Sequence, residues 1–143
     1  MSSIAAELRR LMLVRQHYLA AVCRRSGVSR TEFDALDELS HQGPLTPGEL
    51  GVALSLTSGS VTAMVDRLER LGWARRERHP DDRRKVVVEL TPEAERVGEE
   101  QIGPLVVAME AAAAEFSAKE QRVIERFLGC AADGLAELTA GEA

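Results

Sequence analysis

The sequence predicts a mainly α-helical fold with one small β-hairpin, in which a helix-turn-helix runs into the hairpin and longer helices flank the unit on both sides. Three observations carry this. Short apolar-periodic runs between Ser29 and Leu71 open on strong cap signals and are joined by brief turns. In the last of them Val61, Met64, Val65, Leu68 and Leu71 recur at helical spacing, and Gly72 suits the left-handed position just past a helix. Beyond it, Trp73-Ala-Arg-Arg-Glu and a run through Val86, Val88 and Leu90, alternating with Lys85, Val87 and Glu89, read as two strands around a turn at Pro80 and Asp81.

Each element follows in order. A first helix spans about Ile4 to Arg25, with Ile4, Leu8, Leu11, Met12, Tyr18, Leu19 and Val22 on one stripe, and Ser26-Gly27 ends it. The second opens with the capping box Ser29…Glu32, whose side chains reciprocally satisfy free backbone amides, and buries Phe33, Leu36 and Leu39 before Gly43-Pro44. The third starts with Thr46 as N-cap, Pro47 in the first turn and Glu49 closing a second box, and stops near Ala53. A tight Ser55-Leu56-Thr57 connection delivers the fourth, so the third and fourth form a helix-turn-helix. After the hairpin, Thr91-Pro92 begins a helix of roughly 25 residues, about 37 Å long, which Pro104 should kink. Ser117…Glu120 starts the last, with Val123, Ile124, Phe127, Leu128, Ala131, Leu135 and Leu138 on one face. The first, fifth and sixth helices keep apolar stripes that a second copy would cover.

With 143 residues the chain is expected to be one domain, and an aromatic content of 3% leaves the core to Leu, Val, Ala and Met. No window reaches the roughly 18 apolar residues of a membrane helix and no leader opens the chain, so a soluble cytoplasmic protein is expected. The net charge of −5 divides unevenly: residues 66–85 carry eight basic and five acidic side chains, while residues 86–143 carry four and twelve. The locally basic segment is the helix and hairpin. No glycine-rich phosphate loop, nucleophile elbow or acid-base pair suggests an enzyme, and no cofactor is implied. His17, His41 and His79 are scattered without metal-ligand spacing.

The stretch LTSGSVTAMVDRLERLGW, Leu56 to Trp73, together with DDRRKVVVELT, Asp81 to Thr91, resembles the MarR (multiple-antibiotic-resistance regulator) family of bacterial winged-helix transcription factors. The hairpin fits the family's Asp-x-Arg…Leu-Thr wing as Asp82, Arg84, Leu90 and Thr91, and the resemblance in length and helix order covers the whole chain. It implies a two-fold homodimer on double-stranded DNA with a pseudo-palindromic operator. It further implies a winged helix-turn-helix at about 29–91 and dimerisation helices at about 4–25 and 92–139 within a single domain, 1–143. The recognition helix would enter the major groove and the wing the adjacent minor groove, with Asp82 restraining Arg84 at the tip. Repression relieved by a small aromatic or anionic effector is the family's default; the effector would lie where Arg15, His17, Tyr18 and His41 are candidate lining residues.

The chemistry of these positions agrees with that role. Ser58, Gly59 and Ser60 are small enough at a helix N-terminus to let phosphate approach free amides. Thr62 and Ala63 suit base edges or a thymine methyl, and Arg67 suits a guanine or phosphate. Arginine fits a narrow, negative minor groove, and a salt bridge from Asp82 would lower the entropy lost there. Arg75, Arg76, Arg78 and Lys85 suit phosphate contacts, which position without reading sequence, and Arg83 is a further DNA-binding candidate in the wing. Each has a plainer reading: helix caps, surface ion pairs for Arg67 and Arg70 with Asp66 or Glu69, or turn stabilisation by Asp82 and Arg84. A protein-interaction module without DNA is one alternative, and a thiol switch at Cys23, next to Arg24-Arg25, is another. Peroxide-sensing members of the family carry their cysteine nearer the start of the first helix, and both Cys23 and Cys130 are expected in the core.

Overall fold

The computed structural model describes residues 3–140, the last two by backbone only, and among them the elements run α1 (Ser3–Ser26), α2 (Arg30–Gln42), α3 (Pro47–Leu54), α4 (Ser58–Leu71), β1 (Ala74–Arg78), β2 (Val86–Leu90), α5 (Pro92–Ala114) and α6 (Ala118–Ala140). The chain divides into two compact units, residues 1–101 and 102–143.

In the first unit the expected caps are made. Ser29 Oγ accepts from the Glu32 amide at 3.2 Å and Glu32 Oε2 accepts from the Ser29 amide at 2.7 Å; Thr46 and Glu49 repeat the exchange. These boxes fix where α2 and α3 begin and hence the angle at which each enters the core. The core is aliphatic apart from Phe33: Leu19 and Val22 from α1, Phe33, Ala35 and Leu39 from α2, Leu50 from α3, and Val61, Met64, Val65 and Leu68 from α4 are buried. Burying a leucine such as Leu50 or Leu68 contributes roughly 1.5–3 kcal/mol, so α4 is anchored through its apolar back. Leu71, expected on the same stripe, is 40% exposed at the helix end.

The turn between α3 and α4 is tight because Gly51 lets it be. A Cβ at Gly51 would stand 3.2 Å from both the Leu56 carbonyl oxygen and Val61 Cγ2, and the Gly51 carbonyl accepts the Leu56 amide at 2.9 Å. Ser55 takes the left-handed conformation, φ 54°, that closes α3.

The hairpin pairs Ala74 with Leu90 through to Arg78 with Val86, antiparallel, and Trp73 precedes the strand instead of opening it. The alternation expected in β2 does not hold. Val86 is 43% exposed, whereas the neighbours Val87 and Val88 are both buried. Side chains of adjacent strand residues point to opposite faces, so both faces are covered here. Part of the reason is Leu45, which bridges to Val88 through hydrogen bonds of 3.0 and 2.7 Å and places β2 between two partners. Thr91 ends the hairpin: its hydroxyl donates to the Gly72 carbonyl at 2.7 Å and accepts the Ala94 amide at 3.1 Å, capping α5. At the far end of this unit Gln101 receives the Tyr18 hydroxyl on its carbonyl and the Arg25 guanidinium on its side chain.

The second unit holds the rest of α5, including Pro104, and α6. Ser117 and Glu120 form the expected box, and Gln121 Nε2 donates to the Ala113 and Phe116 carbonyls, satisfying the end of α5. None of the described residues of this unit is buried; Val123, Phe127, Leu128, Leu135 and Leu138 of α6 leave 39–71% of their surface open. Cys130, expected in the core, is exposed as well. Two helices by themselves supply no third layer to bury it.

Candidate nucleic-acid interface

The first turns of α4 present only small side chains outward, with the exposed Asp66, Arg67 and Arg70 following further along the helix. Ser58, Gly59, Ser60, Thr62 and Ala63 are all exposed. Thr57 is the N-cap; its Oγ1 accepts the Ser60 amide at 3.3 Å and donates to the Ser60 hydroxyl at 3.0 Å. The Thr62 hydroxyl turns back to the Ser58 carbonyl at 3.0 Å. The amides of Ser58 and Gly59 have no hydrogen-bond acceptor among the described residues. They are the orphan donors of a helix start, which with the dipole favour an anion.

Arg67 is placed otherwise than its sequence position suggests. Its Nη1 donates to Glu32 Oε2, the oxygen already holding the Ser29 amide, and its Nη2 donates to the Gly27 carbonyl at 3.1 Å. The Glu32 side chain is 8% exposed and that of Arg67 44%. Burial pushes the Glu32 carboxyl up, but the bond from Arg67, the Ser29 amide and the Arg67 charge together hold it below its usual value. Arg67 therefore ties α4 to the start of α2 and the α1–α2 turn. In the sequence Glu32 reads only as a cap, because its second partner lies 35 residues away and leaves no local signal.

The basic residues of the hairpin separate into two groups. At the base, Arg75 pairs with Glu89 at 2.7 Å and Glu77 at 3.6 Å, and Arg76 pairs with Glu69 and, at 2.8 Å, with Asp66. At the tip, Arg78, Arg83, Arg84 and Lys85 are exposed and make no ion pair among the described residues. Positive charge is thus neutralised where the hairpin joins α4 and left free where it projects. Asp82 does restrain Arg84, but through the main chain: its Oδ1 accepts the Arg84 amide at 3.0 Å, and its carbonyl accepts the Lys85 amide at 2.9 Å. The salt bridge expected between their side chains is absent among the described residues, because a carboxylate at the first position of a turn meets the amide two residues on before any guanidinium.

Of the residues named for an effector pocket, Arg15 and His17 are exposed, Tyr18 is half-buried on Gln101, and His41 is exposed with Nδ1 2.9 Å from the Asp37 carbonyl. A cleft of about 270 Å³ between the end of α2, the hairpin base and the start of α5 is lined by Leu39, Pro44, Arg75, Glu89 and Glu95 among others, and by none of those residues. Cys23 is buried, and burial, against the nearby Arg30 charge, raises its thiol pKa. Burial and a raised pKa both disfavour the thiolate that a redox-sensing cysteine uses.

A helix-turn-helix whose second helix shows a small polar face beside a hairpin with unpaired basic residues defines a winged-helix DNA-binding protein. The MarR family model matches residues 26–85, α2 through the hairpin tip. YcgE of Bacillus subtilis (strain 168), an HTH-type transcriptional regulator, is 37% identical over 82% of this chain and 76% of its own length. The multiple antibiotic resistance protein MarR of Salmonella typhimurium (strain LT2) is 38% identical over 51% of each chain. The crystal structure of the transcriptional regulator Tm0710 from Thermotoga maritima superposes with a TM-score of 0.67 at 28% identity, covering 95% of both chains. The chain belongs to the MarR family and is a DNA-binding transcriptional regulator. No described helix is long and apolar enough to cross a membrane.

Proposed function

We propose that the protein is a homodimeric repressor, 1–143 acting as one MarR-type domain in the cytoplasm, that binds a pseudo-palindromic operator. Residues 29–91 read DNA and the helices at 4–25 and 92–139 pair the two copies. The observation that carries the reading is the set of unpaired cations, Arg78, Arg83, Arg84 and Lys85, on the hairpin that follows α4, together with the exposed small residues of α4. In this reading Ser58, Gly59 and Ser60 admit phosphate, Thr62 and Ala63 meet base edges, and Arg84 enters the minor groove. Arg75 and Arg76, neutralised within the protein, contribute less than the tip. Dimerisation is supported by the open apolar surfaces of α1, at Ile4, Leu11 and Met12, and of α6. Matching symmetry would set equivalent major-groove contacts about 10 base pairs apart.

Release by a small aromatic or anionic effector rests on the family resemblance. An effector must bind the two states of the dimer unequally, since equal affinity shifts nothing. The test of the whole reading is competition: the purified protein is bound to duplex from the intergenic region upstream of its own gene and challenged with scrambled duplex. Protection of one two-fold symmetric site supports it. Equal binding to both duplexes, or none, removes the operator-specific function.

A further inference from the structure

We infer that His79 is a positioning residue for the DNA-binding hairpin: its neutral imidazole shapes the tip that presents Arg83 and Arg84, in place of contacting phosphate as a cation. The inference rests on the DNA-binding reading above, and its first readout needs no DNA.

Backbone donors at a tight tip need acceptors close at hand. The His79 amide donates to the Lys85 carbonyl at 2.9 Å and closes the loop. Pro80 has no amide and fixes its own φ, which brings the next two amides round toward residue 79. The Asp81 and Asp82 amides then donate to the same atom, His79 Nδ1, at 3.1 and 3.3 Å. The Arg84 and Lys85 amides end on Asp82, on its carboxylate and carbonyl respectively. The side chains of His79 and Asp82 therefore accept three of these five amides, and the carbonyls of Lys85 and Asp82 accept the other two. Both bonds to the imidazole require Nδ1 without a proton, so the ring is neutral with its hydrogen on Nε2. Asparagine and aspartate hold turns in the same manner, a side-chain oxygen accepting the amide two residues on. His79 is half-buried, in hydrogen-bond contact with Asp81, Asp82 and Lys85. A loop fixed before binding loses less entropy when its arginines engage DNA.

The chemistry dictates three substitutions in the full-length protein. His79→Asn keeps an acceptor without charge, His79→Lys keeps charge without an acceptor, and His79→Ala keeps neither. Amide hydrogen exchange of Asp81 and Asp82 is read in the free protein, and affinity is read with the upstream intergenic duplex. Protection at both amides is expected in wild type and His79→Asn and lost in His79→Ala and His79→Lys. Losing the one acceptor that both amides share should weaken duplex binding about ten-fold in the Ala and Lys variants and leave Asn within about two-fold of wild type. Restoration by Lys but not by Asn would make His79 a phosphate contact and overturn the inference. Unchanged amide protection in His79→Ala would overturn it alone, whereas wild-type protein that shows the protection but binds no duplex would overturn the DNA-binding reading.

Discussion

Replacing Arg67 by methionine separates the role its position suggests from the role its contacts show. The substitution keeps the aliphatic stem and the helix propensity of α4 and removes the guanidinium. Glu32 then remains almost enclosed, with 8% of its side chain exposed, holding the Ser29 amide but no counter-charge. Breaking a fully buried pair costs about 3–5 kcal/mol. Here the guanidinium is 44% exposed, which moves part of that interaction into the range of surface pairs. One charged hydrogen bond lost beside a desolvated carboxylate brings the figure to about 2 kcal/mol, or a fall in Tm of about 4–8 °C for a chain of this size. The pH dependence has a definite sign. Because Glu32 is held below its usual 4.5, the pair's contribution is complete above that value and is lost as pH falls through the lowered one. The deficit of Arg67→Met should therefore be full at pH 7 and shrink below about pH 4.5. Thermal melts across that range, at one protein concentration, measure it, and adding Glu32→Gln to Arg67→Met should recover part of the loss by removing the stranded charge. An Arg67→Met protein with unchanged Tm, whose duplex binding loses salt dependence, would refute the reasoning and return Arg67 to the DNA.

Other consequences are narrower. Gly51→Val should destabilise the protein by about 1–3 kcal/mol, because the new side chain meets a backbone carbonyl and Val61 and neither is a free side-chain end; urea melts at constant protein concentration report this, and an unchanged midpoint would contradict it. The Trp73 indole N–H is buried without a partner among the described residues, so Trp73→Phe should be neutral or slightly stabilising by the same assay. Cys23 should resist alkylation in the native protein at pH 8 and react once denaturant opens the core; rapid native labelling would revive the thiol switch.

The helices were legible in the sequence because their determinants are local. The boxes at Ser29, Thr46 and Ser117, the glycine after α4 and the spacing of Val61, Met64, Val65 and Leu68 each act within four residues or one turn. The hairpin was legible as two strands but not in its burial, since Leu45, far from β2 in sequence, turns what looked like an edge into a strand with two partners. At the candidate interface the exposure of the small residues of α4 and of the basic hairpin tip could be read directly. Which cations remain free could not, because Glu32 reaches Arg67 from 35 residues away, Glu89 meets Arg75 only through the strand register, and Glu69 meets Arg76 only through the angle between α4 and β1. Asp82 shows the same limit at short range: residue type and position announced a restraint on Arg84, but whether it acts on side chain or amide depends on the turn. Cys130 was misplaced in the core because an apolar stripe on α6 does not say whether the chain itself covers it.

The central claim is that free cations at the hairpin tip, and not the paired ones at its base, engage DNA. The measurement that tests it most directly is the dependence of duplex affinity on salt for wild type, Arg84→Ala and Arg75→Ala. Each phosphate-neutralising cation contributes about one unit to the slope of log K against log salt. Arg84→Ala should weaken binding and lower the slope by about one, while Arg75→Ala, whose partner is Glu89, should leave the slope unchanged. Equal effects at both positions, or none at Arg84, would contradict the account.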